Sequence, residues 1–506
     1  MRGRVHRAGA LVLALLVVSA GLKADRPAAA EPEGRVPVIL FVFDELPTVS
    51  LLKRPGVIDQ QRFPNFSRLS REATWYPNHT TSAEVTIRSL PTLLTGKRAT
   101  AGDPANDGKP ATAENYPDNL FALLRSNGYS EEIREFSSEL CPQEFCPLPA
   151  GEVGAEQGIT DPWRFIKFKI PNRFQLVREL FPRWLNSRSF GTEFLFAHSF
   201  LPHEPYYFLP DGRRYRSGPM PRLAEGGLDR ITDSQAAAGQ AWQRQIIQIA
   251  RVDRLLGTLR SRAVAAGVWD QAMVVITTDH GTSFRSGFNR RSIVKENAAS
   301  IAYAPLFIKY PGQTSGGPIK TRTQEVDVLP TIAEVTGIEA YPGLDGMPIS
   351  QVNDPWRPAN IDDVEWGRGL LKRRLEADLK LKRRMLGTRD IWQMGPKAGL
   401  IGRKIPPSKL TAGRKPALKL DNRNDLAQVK RTSEWVPALI YGKSTTLKPG
   451  TVLAVGVNGR VAGTARLFDD GAVNRFGTVV DPRLFRRSNR VTVNLVRDGK
   501  LGRRVS

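Results

Sequence analysis

Two stretches of this chain place metal-binding side chains directly after apolar runs. Asp44 and Glu45 follow one such run, and Asp279 and His280 follow another. Carboxylate oxygens and the neutral imidazole nitrogen are ligands for divalent cations. Buried parallel strands of an open α/β sheet end at the edge where such folds bind their ligands, so two strand ends of this kind predict one metal centre between them.

Hydroxyl side chains cluster in a third stretch, Thr80–Gly96, ahead of an apolar helical turn. A hydroxyl at the start of a helix lies beside backbone N–H groups that lack helical partners, and the positive end of the helix dipole favours a phosphate or sulfate ester there. Binding to a metal ion also makes a hydroxyl a better nucleophile. Ordinary capping of the helix by Ser or Thr explains the same residues, and the segment alone leaves both interpretations open.

The elements that must position these side chains alternate between strand-like and helical segments. The strand-like runs are Val38–Phe43, Phe194–Phe196, Val274–Ile276 and Pro305–Lys309. The helical stretches are Asn119–Ser126, Gln235–Ala266 and Asp327–Thr336. This alternation predicts an α/β fold in which a mainly parallel central sheet is flanked by helices.

The C-terminal part has a different pattern of short strands and turns. Two apolar runs flank Asn458-Gly459, which is a strong hairpin signal, and two more follow at Phe476–Val480 and Val491–Val496. This pattern predicts a small antiparallel β domain. The predicted organisation is a leader at 1–30, an α/β domain with the candidate site at 31–350, a basic helical linker at 351–430 and the β domain at 431–506.

The first residues have the composition of an export signal. A basic start, Met1–Arg7, precedes the apolar stretch Ala8–Leu22 and the small residues Ala28–Ala30. This is the pattern of a signal peptide, with an uncleaved N-terminal anchor as the alternative, and it predicts a secreted or extracytoplasmic protein. In that compartment Cys141 and Cys146 are expected to form a disulfide. A thiolate metal site is the alternative and requires further ligands.

The charge balance favours anionic partners. The formal net charge is +24 and the sequence pI is about 10.3. No motif of a nucleic-acid-binding module accompanies this charge, so we expect an acidic lipid surface or an anionic polymer and no nucleic acid. The basic stretch Leu370–Leu386 is interpreted first as a solvated helix face, with contact to a membrane surface or an anionic polymer as the alternative.

Six short motifs then occur in a characteristic order over residues 36–349. They are Phe43-Asp44-Glu45, Phe63-Pro64-Asn65-Phe66, Leu93-Leu94-Thr95-Gly96, Leu201-Pro202-His203-Glu204-Pro205, Thr278-Asp279-His280-Gly281 and Asp327-Val328-Leu329-Pro330-Thr331. Their order resembles that of the sulfatase-like hydrolases of the alkaline phosphatase superfamily. The resemblance implies an enzyme, a hydrolase or phosphotransferase, and leaves the C-terminal part uncovered.

The resemblance implies a nucleophile at Thr86, where the family's formylglycine-forming cysteine would lie. The proline and arginine of the Cys-x-Pro-x-Arg motif are replaced by Arg88 and Leu90, so a formylglycine sulfatase is not expected. Thr86 instead resembles the threonine nucleophile of phosphodiesterases and of phosphoglycerol transferases such as lipoteichoic acid synthase. Thr81 and Ser82 are alternatives that the alignment disfavours and chemistry does not exclude.

The same resemblance implies a metal site built from Asp44, Asp279, His280 and a deprotonated Thr86. Glu45 is either a fifth metal ligand or an acid next to the ligands that does not itself bind the metal. The two-zinc phosphatases of the superfamily need further histidines, one of them after the Asp-His pair, and no histidine follows His280 here. One divalent ion is therefore expected, Mn²⁺ or Mg²⁺ by the oxygen-rich set, with Zn²⁺ and Ca²⁺ as alternatives.

Two further residues are expected to contact the substrate. His203 resembles the family's substrate-contacting histidine, which would protonate the leaving oxygen or hold the transferred group; a loop histidine fixed by local hydrogen bonds is the alternative. Arg291, with Arg290, is suited to a bidentate contact with a phosphate, and a solvated surface pair is equally compatible with the sequence.

Together these features predict an exported, metal-dependent hydrolase or phosphotransferase with a threonine nucleophile. The expected substrates are phosphodiesters of anionic envelope lipids or polymers. A sulfuric ester hydrolase is one alternative, and a catalytically silent protein that binds envelope polymers is another.

Overall fold

The computed structural model describes residues 34–99, 103, 109–135, 137–142, 144–146, 182–186, 190–216, 233–354, 357–410 and 417–506. The predicted leader at 1–30 lies outside these residues. Within them, no helix combines the length and the apolar composition that crossing a bilayer requires.

The strands and helices are numbered here in chain order. The strands up to residue 318 are β1 (Val38–Asp44), β2 (Leu52–Arg54), β3 (Val57–Ile58), β4 (Thr74–Trp75), β5 (Glu131–Arg134), β6 (Phe194–Pro202), β7 (Met273–Thr278), β8 (Phe307–Lys309) and β9 (Gly317–Pro318). The later strands are β10 (Ala359–Ile361), β11 (Val364–Trp366), β12 (Lys419–Leu420), β13 (Leu439–Ser444), β14 (Val452–Val457), β15 (Arg460–Arg466), β16 (Phe468–Asp469), β17 (Asn474–Val479), β18 (Val491–Arg497) and β19 (Lys500–Arg504). The α-helices are α1 (Thr48–Leu51), α2 (Pro64–Glu72), α3 (Thr86–Thr95), α4 (Leu120–Ser126), α5 (Gln235–Ala265), α6 (Ala298–Ala302), α7 (Val328–Thr336), α8 (Arg368–Leu386) and α9 (Arg423–Ala427).

The central sheet contains seven of the described strands, in the order β5-β6-β1-β7-β8-β4-β9. The strands β5, β6, β1 and β7 are parallel, whereas β8 is antiparallel to both of its neighbours. All residues of β1 are buried, as expected for a central strand that is covered on both faces. The predicted α/β fold with a mainly parallel sheet is confirmed.

Helices cover both faces of this sheet because alternate residues of β1 point to opposite sides. Ile39 and Phe41 belong to the hydrophobic core that includes the long helix α5. Leu40 and Val42 belong to a second core that includes residues of α3, α4 and α7. Asp44, a predicted metal ligand, therefore lies at the end of a strand held between two packed layers.

The C-terminal part forms two antiparallel sheets, β12-β13-β17-β16 and β15-β14-β18-β19, which share a hydrophobic core. Asn458 and Gly459 join β14 to β15 with φ angles of 51° and 80°, the positive values that a two-residue I′ hairpin requires. These sheets contact α5, because Gln240 Nε2 donates a hydrogen bond to Arg466 O at 2.9 Å and Gln240 Oε1 accepts one from Gly477 N at 2.5 Å. The predicted antiparallel β structure of the tail is confirmed.

Helix α8 lies in the segment predicted as a basic linker, and one of its lysines is buried. Lys382 Nζ donates hydrogen bonds to Val49 O at 2.7 Å, to Ser50 O at 3.2 Å and to Leu52 O. Burial lowers the pKa of Lys382 well below its ordinary value. This lysine caps the carbonyl end of α1, which follows β1 in the chain.

The outer face of α8 is basic and exposed. Its exposed cationic residues are Lys372, Arg373, Lys380, Arg383 and Arg384. The helix therefore has a packed face and a solvated basic face.

The predicted pairing of the two cysteines is also confirmed. Cys141 and Cys146 form a disulfide, and both pack against the core that includes α3 and α4. Their sulfur atoms are bonded to each other, so they are not thiolate ligands for a metal ion.

Candidate metal centre and active site

Three of the predicted ligands come together at the carboxyl edge of the central sheet. Asp44 ends β1, and Asp279 with His280 follows β7, the strand that pairs in parallel with β1. One ligand atom from each of these side chains lies within 4.8 Å of the others, and all three side chains are buried. We call Asp44, Asp279 and His280 the metal-ligand cluster.

The hydrogen bonds of Asp279 leave one of its carboxylate oxygens for another group. Oδ1 accepts from Glu45 N at 3.0 Å and from His280 N at 2.6 Å. Oδ2 is buried and receives no hydrogen bond from a described residue. Because a buried carboxylate oxygen without a donor is costly, this oxygen fits a cation, and the donor set of two carboxylates and one imidazole fits a divalent metal ion.

The imidazole of His280 is held in the orientation of a metal ligand. Nδ1 donates to Gly281 O at 2.9 Å, so Nε2 keeps its lone pair in the neutral ring. Nε2 lies 3.4 Å from Thr86 Oγ1 and 3.6 Å from Asp279 Oδ2. A hydrogen bond on one ring nitrogen that aims the other at a metal is the usual arrangement of histidine ligands.

Thr86 is the first residue of α3, where a hydroxyl faces the positive end of the helix. The residue before it, Val85, has extended backbone angles and provides no side-chain cap. The helix dipole and the N–H groups of the first turn therefore favour a negatively charged group at this end. The structure brings Thr86 together with His280 across 194 positions in sequence.

The two alternative hydroxyls have different surroundings. Thr81 is buried, and its Oγ1 lies 2.7 Å from each of two carbonyl oxygens, Ala83 O and Asp279 O, which share its one proton. Ser82 is buried, and its Oγ has no hydrogen-bond partner among the described residues. Thr81 therefore supports the loop of Asp279, whereas Thr86 is partly exposed at the site.

Glu325, just before the Asp327–Thr331 motif, is a buried acid that the sequence analysis missed. Its Oε1 lies 2.7 Å from Ser89 Oγ, and its Oε2 accepts from Ser82 N at 2.8 Å. Burial raises the pKa of Glu325 well above its ordinary value; hydrogen bonds from Ser89 and Ser82 oppose this, and the charge of Asp279 adds to it. A protonated Glu325 would therefore sit beneath the segment that carries Thr86.

A second group of charged residues lies beside the metal-ligand cluster, and we call it the arginine cluster. It consists of Glu45, Glu204, Arg290 and Arg291. Arg290 is buried between two carboxylates, with its guanidinium 2.5 Å from Glu45 Oε1 and 2.9 Å from Glu204 Oε1. Arg291 is partly exposed and lies 3.4 Å from Glu45 Oε1. Of the two arginines, Arg291 is therefore the one placed to meet a substrate.

Glu45 is paired with cations of the protein itself. The residue is fully buried and has a positive φ of 62°. Burial raises its pKa, but Arg290, followed by His203 and Arg291, outweighs this and holds the pKa of Glu45 well below its ordinary value. Oε1 of Glu45 is thus paired with Arg290, whereas Oε2 is buried and receives no hydrogen bond from a described residue.

His203 lies at the same edge with one nitrogen facing the charged groups. Its Nδ1 is 2.7 Å from Glu204 O, to which it donates, and its Nε2 is 3.6 Å from Glu45 Oε2. The position predicted for a substrate-contacting histidine therefore has its second nitrogen directed at this edge.

Arg88 and Asp362 form an ion pair at the start of α3 that the sequence analysis did not predict. A guanidinium nitrogen of Arg88 lies 2.7 Å from Asp362 Oδ1. Asp362 comes from the turn of the hairpin β10–β11, and its Oδ2 accepts from Glu84 N at 3.0 Å. Sequence gives no signal for this contact, because 273 intervening positions carry no common pattern.

The comparison with known families identifies the relationship. The family model described as Sulfatase matches residues 55–338, which is more than half of the chain. The chain belongs to the sulfatase family. This makes it a member of a family of hydrolases in the alkaline phosphatase superfamily. The matched range of this sulfatase-family protein contains Thr86, His203, Asp279 and His280, and Asp44 lies before it.

Solved structures similar to this sulfatase-family protein have low sequence identity. The phosphonate monoester hydrolase of Agrobacterium radiobacter is 17% identical, with a TM-score of 0.44 over 65% of this chain and 79% of the other. The enzyme SpPMH from Silicibacter pomeroyi, also a phosphonate monoester hydrolase, is 17% identical, with a TM-score of 0.45 over 64% and 78%. A 2-O GAG sulfatase is 15% identical, with a TM-score of 0.42 over 63% and 74%.

Proposed function

We propose that this protein is an exported, metal-dependent phosphodiesterase or phosphotransferase in which Thr86 is the nucleophile. The observation that carries this proposal is the position of Thr86 Oγ1, at the uncapped start of α3 and 3.4 Å from His280 Nε2. A hydroxyl in that position has an anion-binding helix end on one side and a set of metal ligands on the other.

Asp44, Asp279, His280 and Thr86 would hold one divalent ion, of which Mn²⁺ or Mg²⁺ suits the oxygen-rich set best. When bound, such an ion lowers the pKa of a hydroxyl ligand and neutralises charge on the phosphoryl oxygens. The buried Asp279 Oδ2, which receives no hydrogen bond from the described residues, is the direct support for a cation here.

The residues of the chain supply the remaining chemistry. Thr86, in its deprotonated form, attacks phosphorus through Oγ1, the bond from phosphorus to the leaving oxygen breaks, and a phosphothreonine forms. His203 Nε2, which lies 3.6 Å from Glu45 Oε2, would give a proton to the leaving oxygen. Water or an acceptor hydroxyl then passes its proton back to His203 Nε2, attacks phosphorus and releases the deprotonated Thr86. The N–H groups at the start of α3 and the side chain of Arg291 would bind the phosphoryl oxygens.

The charge of the protein supports an anionic envelope lipid or polymer as substrate. The formal net charge of +24 raises the local concentration of such molecules near the surface. The exposed basic face of α8 would add contact with a membrane surface or a polymer. The N-terminal pattern of residues 1–30 supports export to the compartment where these substrates occur.

The test compares the turnover rates of Thr86→Ala and the unmodified protein in the presence of Mn²⁺. The substrates are three esters with the same leaving group: bis(4-nitrophenyl) phosphate, 4-nitrophenyl phosphate and 4-nitrophenyl sulfate. We expect phosphodiester turnover that falls by a factor of about 10³ or more in Thr86→Ala, while the thermal midpoint stays within a few degrees. Ser82→Ala is the matched control, because it removes a nearby hydroxyl that has no hydrogen-bond partner among the described residues.

Each alternative has its own outcome in this experiment. Faster turnover of the sulfate than of the phosphodiester would establish a sulfuric ester hydrolase. Absence of both turnover and bound metal after reconstitution with several cations would establish a silent binding protein. Near-normal turnover by Thr86→Ala with loss in Ser82→Ala would move the nucleophile to Ser82.

A further inference from the structure

The hairpin β10–β11 carries two aspartates to the start of α3. Its turn is Asp362-Asp363, and both residues have positive φ angles, 50° and 62°. Such a turn favours Asn and Gly at these positions, since L-residues adopt this conformation at a cost. An acidic residue in a strained turn beside the candidate site suggests a role for its charge there, and of the two it is Asp362 that contacts the start of α3.

Hydrogen bonds fix this turn against the chain segment that leads to Thr86. Asp362 N donates to Ser82 O at 3.0 Å, and Asp362 Oδ2 accepts from Glu84 N at 3.0 Å. The carboxylate of Asp362 therefore has a defined position relative to the first turn of α3. The hairpin lies after residue 338, where the match to the family model ends.

The carboxylate of Asp362 neutralises the cation that lies nearest to Thr86 along α3. Arg88 is two residues after Thr86, and its guanidinium is 2.7 Å from Asp362 Oδ1, with side chains that are 22% and 16% exposed. Asp363 is exposed and adds a second negative charge at the turn. Arg290 is likewise neutralised, by Glu45 and Glu204. The charges of both guanidiniums are thus already balanced by carboxylates of the protein.

We propose that the Asp362–Arg88 ion pair makes the site selective for monoanionic phosphodiesters over dianionic phosphomonoesters. This inference rests on the proposed function and specifies its substrate class. A phosphomonoester has a second pKa of about 6 and carries nearly two negative charges at pH 8, whereas a diester carries one. Arg291 would meet one negative charge, and the second would need a further cation at the start of α3, where Arg88 is paired and Asp362 repels an added anion.

The variant Asp362→Asn tests the inference. The quantity measured is the ratio of two kcat/KM values, that for the diester bis(4-nitrophenyl) phosphate divided by that for the monoester 4-nitrophenyl phosphate, with Mn²⁺ at pH 8. Asparagine tolerates positive φ, and its oxygen still accepts from Glu84 N, so the fold should be kept. We expect the ratio to fall by about tenfold, because monoester turnover rises. Asp363→Asn removes the same charge from the same turn and should change the ratio by less than about twofold.

A second substitution assigns the effect to Arg88. In the Asp362→Asn background, Arg88→Met should cancel the gain for the monoester, since the released guanidinium is then absent. An unchanged ratio in Asp362→Asn would overturn the inference and leave the proposed function standing, provided that the unmodified protein still hydrolyses the diester.

Calorimetry gives a readout that does not depend on turnover. Inorganic phosphate, mostly a dianion at pH 8, and dimethyl phosphate, a monoanion, are titrated into the metal-loaded protein. Asp362→Asn should strengthen phosphate binding by about tenfold and leave dimethyl phosphate within about twofold. If Asp362→Asn and the unmodified protein bound inorganic phosphate with equal affinity, the inference would be overturned, even if neither ester were hydrolysed. If the unmodified protein turned over no ester, that result would count against the proposed function alone.

Discussion

The metal-ligand cluster and the arginine cluster lie at one edge of the sheet, and they balance buried negative charge in different ways. In the first, Asp279 Oδ2 has no hydrogen-bond donor among the described residues and lies near His280 Nε2, 3.6 Å away. In the second, Glu45 lies 2.5 Å from the guanidinium of Arg290. Asp279 therefore has a carboxylate oxygen left for an added cation, whereas Glu45 is already paired with a cation of the protein.

Because of this difference, substitutions in the two clusters should affect different properties, metal binding in one cluster and stability in the other. Removing a ligand should affect metal binding and leave the apoprotein folded, since it relieves a buried charge. Removing Glu45 should do the reverse, since it leaves the buried guanidinium of Arg290 without its nearest carboxylate.

The largest expected effect is that of Asp279→Asn. We expect metal affinity to fall by at least about 100-fold and phosphodiester turnover to be lost, because the variant removes a charged ligand at the centre of the cluster. Elemental analysis after dialysis measures the metal, and the thermal midpoint in EDTA should equal or exceed that of the unmodified protein. A variant that retained a full equivalent of metal would show that the ion binds elsewhere.

Glu45→Gln should have an intermediate effect, and on a different property. The free energy of unfolding should decrease by about 3 kcal/mol, the typical cost of leaving one partner of a buried ion pair uncompensated. Denaturant unfolding in EDTA measures it, and bound metal should stay near one equivalent. The double variant Glu45→Gln/Arg290→Met should recover part of the loss. Loss of metal together with unchanged stability would instead make Glu45 a ligand.

At neutral pH the smallest effect should come from His79, which is buried and shares a hydrogen bond with Thr323 Oγ1 at 2.9 Å. Burial, helped by Arg357, lowers the pKa of His79 from its ordinary value of 6.5 to about 3. Between these values the unfolded chain binds the extra proton. The stability that the neutral ring contributes is therefore complete above about pH 6.5 and decreases as the pH falls towards 3, by about 1.4 kcal/mol per pH unit.

His79→Gln should flatten this part of the pH–stability curve, because glutamine keeps hydrogen-bonding capacity and does not titrate. Urea unfolding of both proteins at pH 4, 5, 6 and 7 measures the difference. Parallel curves for the two proteins across this range would show that His79 does not contribute to acid sensitivity.

The parts of the site that sequence predicted are those that follow directly from strand ends. Asp44 and Asp279 could be placed together because apolar runs of buried parallel strands stop at one edge of a sheet. The long helix α5 was predicted to within a residue at its C-terminus, and Ser234 caps its N-terminus by accepting from Ala237 N. These features are encoded locally, by composition and periodicity.

The parts that sequence could not predict depend on contacts between distant loops. Nothing in the neighbourhood of Glu45 indicates that Arg290 neutralises it, and nothing near Arg88 indicates Asp362. The antiparallel direction of β8 could not be predicted either, because the composition of a three-residue strand does not indicate its direction. Charge pairing and strand direction are decided by tertiary structure.

The buried lysine of α8 has a consequence for where this protein can be divided. The match to the family ends at residue 338, but Lys382 provides hydrogen bonds to three carbonyls of the chain just after the end of β1. A fragment that stopped at residue 338 would remove this donor from three carbonyls next to the residues of the site. We therefore expect that a fragment able to fold by itself must extend at least through α8, about fifty residues beyond the end of the family match.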